Sequence, residues 1–428
     1  MLSEKIALIG FGVSNKAVYE RLKGCGYSFT VRSLTECAVP SELDCVFGEN
    51  YLNTTEDIIF RSPSCMPYRI RGNGYITTEA AFALSHIGCR KICVTGSDGK
   101  TTVSTLIKEI LSEDGKGAHL GGNIGYPVIN YMGKLKKQDF LVCELSSFQL
   151  TDFSPECDVG IITNVTPNHL DIHSSYDEYK GAKANIFKNA SRLVVNCDSR
   201  EAMELALAES GGRSITFAST RDIGGRLDDG NEYVYCRNGY IYRNSEKILP
   251  LSEIKLRGSF NILNVCLAVG AAYPYVSVDS IINTVKNFYG VSCRMELVDT
   301  KNGVSYYDSS IDSTPSRTLA TLSAFDKSRA VVILGGYDKN LSYHALQEGL
   351  RGIKCAIICG ANSQKIYSAV KNSCNTVLND SFTESVKIAY RIAENGDSVI
   401  LSPASASYDA FKNYREKSKK YREIIRGL

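Results

Sequence analysis

Between Lys91 and Ile107 the chain reads "KICVTGSDGKTTVSTLI": an apolar run breaks at Gly96-Ser97-Asp98-Gly99-Lys100-Thr101-Thr102 and resumes with helical spacing. A strand, a glycine-bearing loop and a helix in that order make a sharp turn whose N–H groups point inward at a helix N-terminus. That is an anion site before any side chain is counted. Lys100 adds a mobile cation, and Thr101 and Thr102 add hydroxyls suited to Mg²⁺ beside a triphosphate. Val94 stands where the usual pattern has its first glycine, so the spacing is the shorter Gly-x-x-Gly-Lys-Thr-Thr of a variant P-loop. Such a loop needs a strand before it and a helix behind it, which commits this part of the chain to α/β architecture.

A chain of 428 residues is too long for one core and predicts two or three domains. Its 43% hydrophobic and 22% charged residues are those of a globular protein, and a net charge of +3 demands neither nucleic acid nor an acidic membrane as partner. No apolar run approaches membrane-spanning length, and Ser3-Glu4-Lys5 leads straight into Ile6-Ala7-Leu8-Ile9 without a signal-type region. The expected location is the cytoplasm, with no membrane insertion, and the expected state is a monomer. Fifteen cysteines without CxxC pairing argue against a zinc site or a disulfide framework and read as small buried apolar residues.

Three segments follow. The first, residues 1–89, opens with a strand at Ile6–Ile9, the turn "GFGVS", a helix at Ala17–Leu22 and a strand at Tyr27–Val31, a doubly wound, Rossmann-like start. A dinucleotide fingerprint needs a glycine where Asn15 stands and an acid where Arg32 stands, so the turn reads as a site for another phosphate or nucleotide ligand. Arg32 facing the 2′-phosphate of NADP is the weaker alternative. The second segment, 90–291, is a P-loop mononucleotide-binding domain with strands at Phe140–Glu144, Val159–Thr163 and Arg192–Val195 that give way to a polar stretch around 221–231. The third, 292–428, is again Rossmann-like, with strands at Ala330–Leu334, Cys355–Cys359 and Ser398–Leu401. The basic C-terminal "KNYREKSKKYREIIR" reads as a terminal helix whose charges form a solvated face.

In the middle segment "CELSSFQL" puts Glu144 at the end of an apolar strand, and "ITNVTPNHLDIH" does the same with Asn164, Asn168 and His169. Carboxyl ends of parallel strands are where ligands bind, and the P-loop lies at that edge. A carboxylate and an imidazole delivered there suit hydrated Mg²⁺. "YDEYKGAKANIF" adds Lys180 and Lys183 on a helix, Lys183 one turn after Tyr179. Singly each has a bland reading, as a solvated lysine or a strand-end cap.

"VTGSDGKTT", "ELSSFQL", "ITNVTPNHLD", "YKGAKANIF", "RGSFNILN" and "LSPASASYDAFKN", in this order over nearly the whole chain, resemble the Mur ligases, and among them the D-glutamate-adding members. The resemblance implies three domains and an ATP-dependent amide ligase joining D-glutamate to UDP-N-acetylmuramoyl-L-alanine through an acyl phosphate. It assigns ATP to Gly96, Ser97, Asp98, Gly99, Lys100, Thr101, Thr102, Asn261, Asn264, Arg294 and Asp308. It assigns the UDP-linked substrate to Gly12, Val13, Ser14, Ser62 and Asn123, and D-glutamate to Ser313, Lys339, Ser407 and Tyr414. Lys100, Glu144, His169 and Lys183 are the implied catalytic set. Thr101, Glu144, His169 and Lys183 are the implied surroundings of two Mg²⁺ ions, with Lys183 carbamylated.

Some positions depart from the pattern. "DSSIDSTP" replaces Asp-Ser-Lys-Ala-Thr-Asn and leaves the ATP contact open between Asp308 and Ser309. Phe260 stands at a usual histidine, and Ser64 at the glycine of Ser-Pro-Gly. Two other readings remain: a sister or folylpolyglutamate-synthase-like ligase with another acceptor, and a nucleotide-binding homologue without turnover.

Overall fold

The computed structural model describes residues 4–124, 126–168, 172–223 and 230–428. They form two compact units, Met1–Glu253 with Ile262–Lys286, and Ile254–Asn261 with Asn287–Leu428. The fold is mixed α/β with three sheets, two in the first unit and one in the second.

The first sheet is fully parallel and holds β1 (Lys5–Ile9), β2 (Ser28–Ser33), β3 (Asp44–Phe47), β4 (Ile58–Arg61) and β5 (Tyr75–Thr77) in the order β3-β2-β1-β4-β5. Its central strands are apolar on both faces, as burial on both sides requires. Helix α1 (Val13–Leu22) begins four residues earlier than the apolar pattern indicates, because extended Gly12 serves as its N-cap. Helix α2 (Glu79–His86) is capped by Thr78, which accepts from the Ala81 N–H.

The second sheet holds nine strands: β6 (Arg90–Thr95), β7 (Ala118–Gly122), β8 (Phe140–Glu144), β9 (Cys157–Ile162), β10 (Ala190–Asn196), β11 (Ile215–Ala218), β12 (Glu232–Arg237), β13 (Tyr240–Arg243) and β14 (Glu246–Pro250). They run β14-β13-β12-β11-β10-β9-β6-β8-β7. β6 therefore lies between β8 and β9, and the register pairs Val94 with Glu144 and Thr95 with Ile162. That register delivers the P-loop, Glu144 and Thr163 to one edge. Helices α3 (Lys100–Glu113), α4 (Ser147–Leu150), α5 (Tyr176–Lys188), α6 (Arg200–Glu209) and α7 (Ser259–Ala272) belong to this part of the chain. The antiparallel meander β12-β13-β14 is an addition that the polar stretch had hidden. Asn238 and Gly239, both at positive φ, form the tight turn between β12 and β13, and residues 224–229 of that stretch lie outside the described set.

The third sheet orders β15 (Glu296–Lys301), β16 (Val304–Asp308), β17 (Ala330–Leu334), β18 (Cys355–Ile358), β19 (Thr376–Leu378) and β20 (Ser398–Leu401) as β15-β16-β20-β17-β18-β19, parallel but for β15. The terminal helix, Tyr414–Arg426, only partly obeys the solvated-face expectation. Arg415, Lys419 and Lys420 are exposed, but Lys417 is buried and Arg422 is drawn to Glu296 and Asp308. Nine of the fifteen free cysteines are buried, whereas Cys25, Cys37 and Cys45 are exposed, all beside the first sheet.

Candidate active site

Gly96 and Gly99 shape the loop, at φ +150 and +81. A Cβ at Gly96 would overlap the Thr163 side chain, and one at Gly99 would come within 2.5 Å of Asn264 Oδ1. Any side chain at either place would open the turn. Across the loop, Asn164 Oδ1 accepts from the N–H groups of Ser97 (3.1 Å) and Asp98 (2.9 Å). The Ser97 hydroxyl lies 2.8 Å from the Tyr179 hydroxyl and accepts from the Thr166 N–H at 2.9 Å. The loop is thus tied to the segment after β9 and to α5.

Two lysines converge on one carbonyl. Lys100 Nζ donates to Gly96 O (2.8 Å) and Ser97 O (3.0 Å), and Lys183 Nζ donates to the same Gly96 O at 2.7 Å. Lys183 is buried beneath the Tyr179 ring, 4.6 Å from its centroid. Burial, and then the neighbouring Lys100 charge, hold the Lys183 ammonium well below the ordinary lysine range. Beside them Thr101 Oγ1 donates to Glu144 Oε2 (2.7 Å) and Asn123 Nδ2 to Glu144 Oε1 (3.0 Å). Lys100, Thr101, Asn123, Glu144, Lys183 and Asn264 therefore meet around one loop, with Thr102 half-buried in the first turn of α3. His169 lies outside the described residues.

Among the described residues no group of three His, Cys, Asp or Glu stands ready for a metal. The donors present are a threonine hydroxyl, a buried carboxylate and a loop of amides, which fit Mg²⁺ held jointly with a triphosphate rather than by a protein cage.

Beside the first sheet, Gly12 and Val13 are exposed and Ser14 is half-buried where α1 starts. Asn15 stands at the missing third glycine and donates from Nδ2 to the carbonyls of Ile9, Gly10 and Phe60, locking the turn to β1 and β4. Ser62 follows β4, its N–H bonded to Ile9 O at 2.9 Å. Arg32 is buried against Glu56 (2.9 Å) and Asn53 O (2.8 Å), so it is an internal ion pair and not a phosphate receptor. Sequence reasoning missed Arg61 and His173. Arg61 is fully buried on Asp152, and His173 lies between Ser147 Oγ (2.9 Å) and Glu178 Oε1 (3.5 Å), stacked on Phe148. The second histidine of "HLDIH" was a signal for the latter.

In the second unit, Ser407 is buried with a hydroxyl that has no hydrogen-bond partner among the described residues, Lys339 is exposed, Ser313 is half-buried, and Tyr414 opens the terminal helix. Asn261 is buried and donates to Arg257 O at 2.7 Å, and Arg294 is half-buried. Neither Asp308 nor Ser309 lies at the surface. Asp308 is held by Ser418 (2.5 Å) and Arg422 (3.1 Å), and Ser309 lies 3.2 Å from the Thr321 hydroxyl. Lys417 Nζ, also missed, donates to Gly335 O at 2.8 Å beneath the loop that carries Lys339.

Residues 94–272 match the Mur ligase middle domain, and 293–405 match the Mur ligase glutamate ligase domain. A UDP-N-acetylmuramoylalanine–D-glutamate ligase of Clostridium tetani is 38% identical over 458 residues, covering 100% of this chain and 97% of the relative. One from Clostridium perfringens is 35% identical, covering 99% and 97%. Among solved structures, the UDP-N-acetylmuramate–alanine ligase of Thermotoga maritima superposes with a TM-score of 0.61 at 16% identity, covering 99% of each chain, which speaks for the fold. A pseudomurein peptide ligase of Methanothermus fervidus gives 0.57 at 17% identity. With a P-loop edge of this composition and full-length relatives of one kind, the chain belongs to the Mur ligase family, in the group whose curated members are UDP-N-acetylmuramoylalanine–D-glutamate ligases.

Proposed function

We infer that this chain is an ATP-dependent ligase that adds D-glutamate to UDP-N-acetylmuramoyl-L-alanine in peptidoglycan precursor synthesis. The observation that carries the reading is the meeting of Lys100, Thr101, Glu144 and Lys183 at the strand-end edge, in a chain whose close relatives carry that one name over their full length.

We propose three domains, 1–89 for the UDP-linked substrate, 90–291 for ATP and 292–428 for the amino acid, one to each sheet. Gly12, Val13, Ser14 and Ser62 take the UDP end of the substrate, and Asn123 takes its muramoyl part. The loop amides from Gly96 to Thr102 cradle the ATP phosphates, and Lys100 exchanges its two carbonyl partners for phosphate oxygens. Asn264, Asn261 and Arg294 complete the ATP site. Asp308 joins them only by giving up its Arg422 and Ser418 partners. The substrate carboxylate oxygen attacks the γ-phosphorus; that P–O bond forms as the bond to ADP breaks, with Lys100 stabilising charge on the phosphoryl oxygens. The D-glutamate nitrogen then attacks the acyl phosphate carbonyl, loses a proton and expels phosphate. Lys339, Ser313, Ser407 and Tyr414 hold the acceptor, cation and hydroxyls suiting its carboxylates.

Thr101, Glu144, His169 and Lys183 would surround Mg²⁺, two ions in all, which when bound neutralise phosphoryl charge. Lys183 fits this only as a carbamate: burial disfavours its ammonium, and the free amine is the form that takes up CO₂. We propose a cytoplasmic monomer without membrane insertion; no helix among the described residues is long and apolar enough to cross a membrane.

Phosphate release from Mg²⁺-ATP with UDP-N-acetylmuramoyl-L-alanine, compared among D-glutamate, L-glutamate, L-lysine and no amino acid, tests the reading. Turnover is expected with D-glutamate alone. Turnover with another amino acid moves the chain to a sister activity, and silence despite ATP binding means that turnover has been lost.

A further inference from the structure

Arg61 ends β4, one residue before Ser62, and is completely buried. A guanidinium has five N–H groups, and all five are placed. Nε donates to Asp152 Oδ2 (3.1 Å), and Nη2 donates to Asp152 Oδ1 (2.5 Å) and Phe148 O (2.8 Å). Nη1 donates to Pro63 O (3.0 Å) and Cys65 O (3.1 Å). Three of the five acceptors are main-chain carbonyls, and they belong to two segments. Pro63 and Cys65 lie in the turn that carries Ser62, which also abuts the Gly10 turn: a Cβ on Gly10 would lie 3.4 Å from Ser62 Cβ. Phe148 and Asp152 lie in and just after α4, whose N-cap Ser146 follows Glu144 by two residues.

One rigid planar group therefore spans the end of the first sheet and the segment leaving β8 at the P-loop edge. α4 is itself fixed at its start: the Ser146 hydroxyl accepts from the Gln149 N–H (3.3 Å), and the Gln149 side chain accepts from the Ser146 N–H (2.9 Å). With both ends fastened, the bridge transmits position without a flexible joint. Lysine cannot replace it, because an ammonium has three donors at one point and no fork to match a carboxylate.

We propose that Arg61, oriented by Asp152, is a positioning residue for the UDP-linked substrate. It sets the reach from the Ser62 turn to Glu144, and so where a substrate held at its UDP end presents the carboxylate that is to be phosphorylated. This rests on the function inferred above. A ligand bound at both ends of the bridge feels a change in its length, whereas ATP, to which no residue of the first sheet is assigned, does not.

The test is steady-state kinetics of Arg61→Lys and Asp152→Asn beside the parent enzyme, with Tm measured for each. Asp152→Asn keeps an acceptor oxygen and is the variant that should fold if Arg61→Lys does not. The expected result is a rise of about tenfold or more in KM for UDP-N-acetylmuramoyl-L-alanine, with a fall in kcat, while KM for ATP and for D-glutamate stays within about twofold. A purely structural bridge would lower Tm and the active fraction and leave all three KM values alone, and that outcome overturns the proposal. An active parent beside kinetically unaltered variants removes only the role of Arg61. A parent silent with every acceptor overturns the functional reading and this proposal with it.

Discussion

Gly96 O accepts from both Lys100 and Lys183, so two amino groups share one acceptor until a phosphate draws one away or a carbamate replaces the other. Lys183→Ala should lower turnover by at least about 100-fold, since charge placed for phosphoryl transfer is worth that much or more. Short carboxylic acids that fill the vacated space should restore part of it, measured as phosphate release; full activity without them would sink the carbamate assignment. Glu144→Gln keeps the shape and the Asn123 and Thr101 neighbours but removes the charge, so the Mg²⁺ concentration for half-maximal rate should rise several-fold. At this scale the sequence was informative wherever a residue's partner was close by or its motif was specific, as with Lys100, Thr101 and Glu144. It was silent on Arg61, whose partner Asp152 lies 91 residues on. An arginine after "DIIF" gives no local sign that its charge is satisfied inside the protein.

Helix α4 is only four residues long and depends on its cap. Ser146→Ala should cost about 1 kcal/mol, visible as a lower Tm, because it removes one half of a reciprocal pair of bonds. Helix α2 supplies a pH-dependent element. Glu79 Oε1 accepts from the Ile129 N–H at 2.6 Å, and burial pushes its carboxyl up to about 7. In the unfolded chain the group titrates near 4.5. Between these values the folded state binds more proton, so stability should fall as pH rises from about 4.5 to 7 and stay reduced above that. Glu79→Gln should flatten that part of the stability–pH curve, as read from denaturant midpoints across pH 4 to 8. The apolar strands Phe140–Glu144, Ala330–Leu334 and Ser398–Leu401 fall where the sequence placed them, because buried parallel strands are short unbroken apolar runs. The β12–β14 meander was missed although "CRNGYIYR" carries the Asn-Gly turn between alternating residues. The polar stretch before it drew attention away from a local signal that was present.

Each of the two units owns its sheets and its apolar clusters, the first unit holding those around Leu141 and Ile59 and the second those around Val332 and Val399. A nonhydrolysable ATP analogue with Mg²⁺ should raise Tm, its stabilisation growing with the logarithm of the ligand concentration above Kd and reaching about 2.7 kcal/mol at 100 times its Kd. Lys100→Met should abolish most of that shift while moving the unliganded Tm by no more than a few degrees, and an undiminished shift would remove Lys100 from the ATP site. The distribution of thiols has a practical consequence at the same scale. Since Cys25, Cys37 and Cys45 are exposed and sit in one stretch beside the first sheet, while nine others are buried, a thiol-reactive dye should load that module first without any engineered site. The native chain thus comes with its own place for a fluorescent reporter, on the part of the chain proposed to take the UDP-linked substrate.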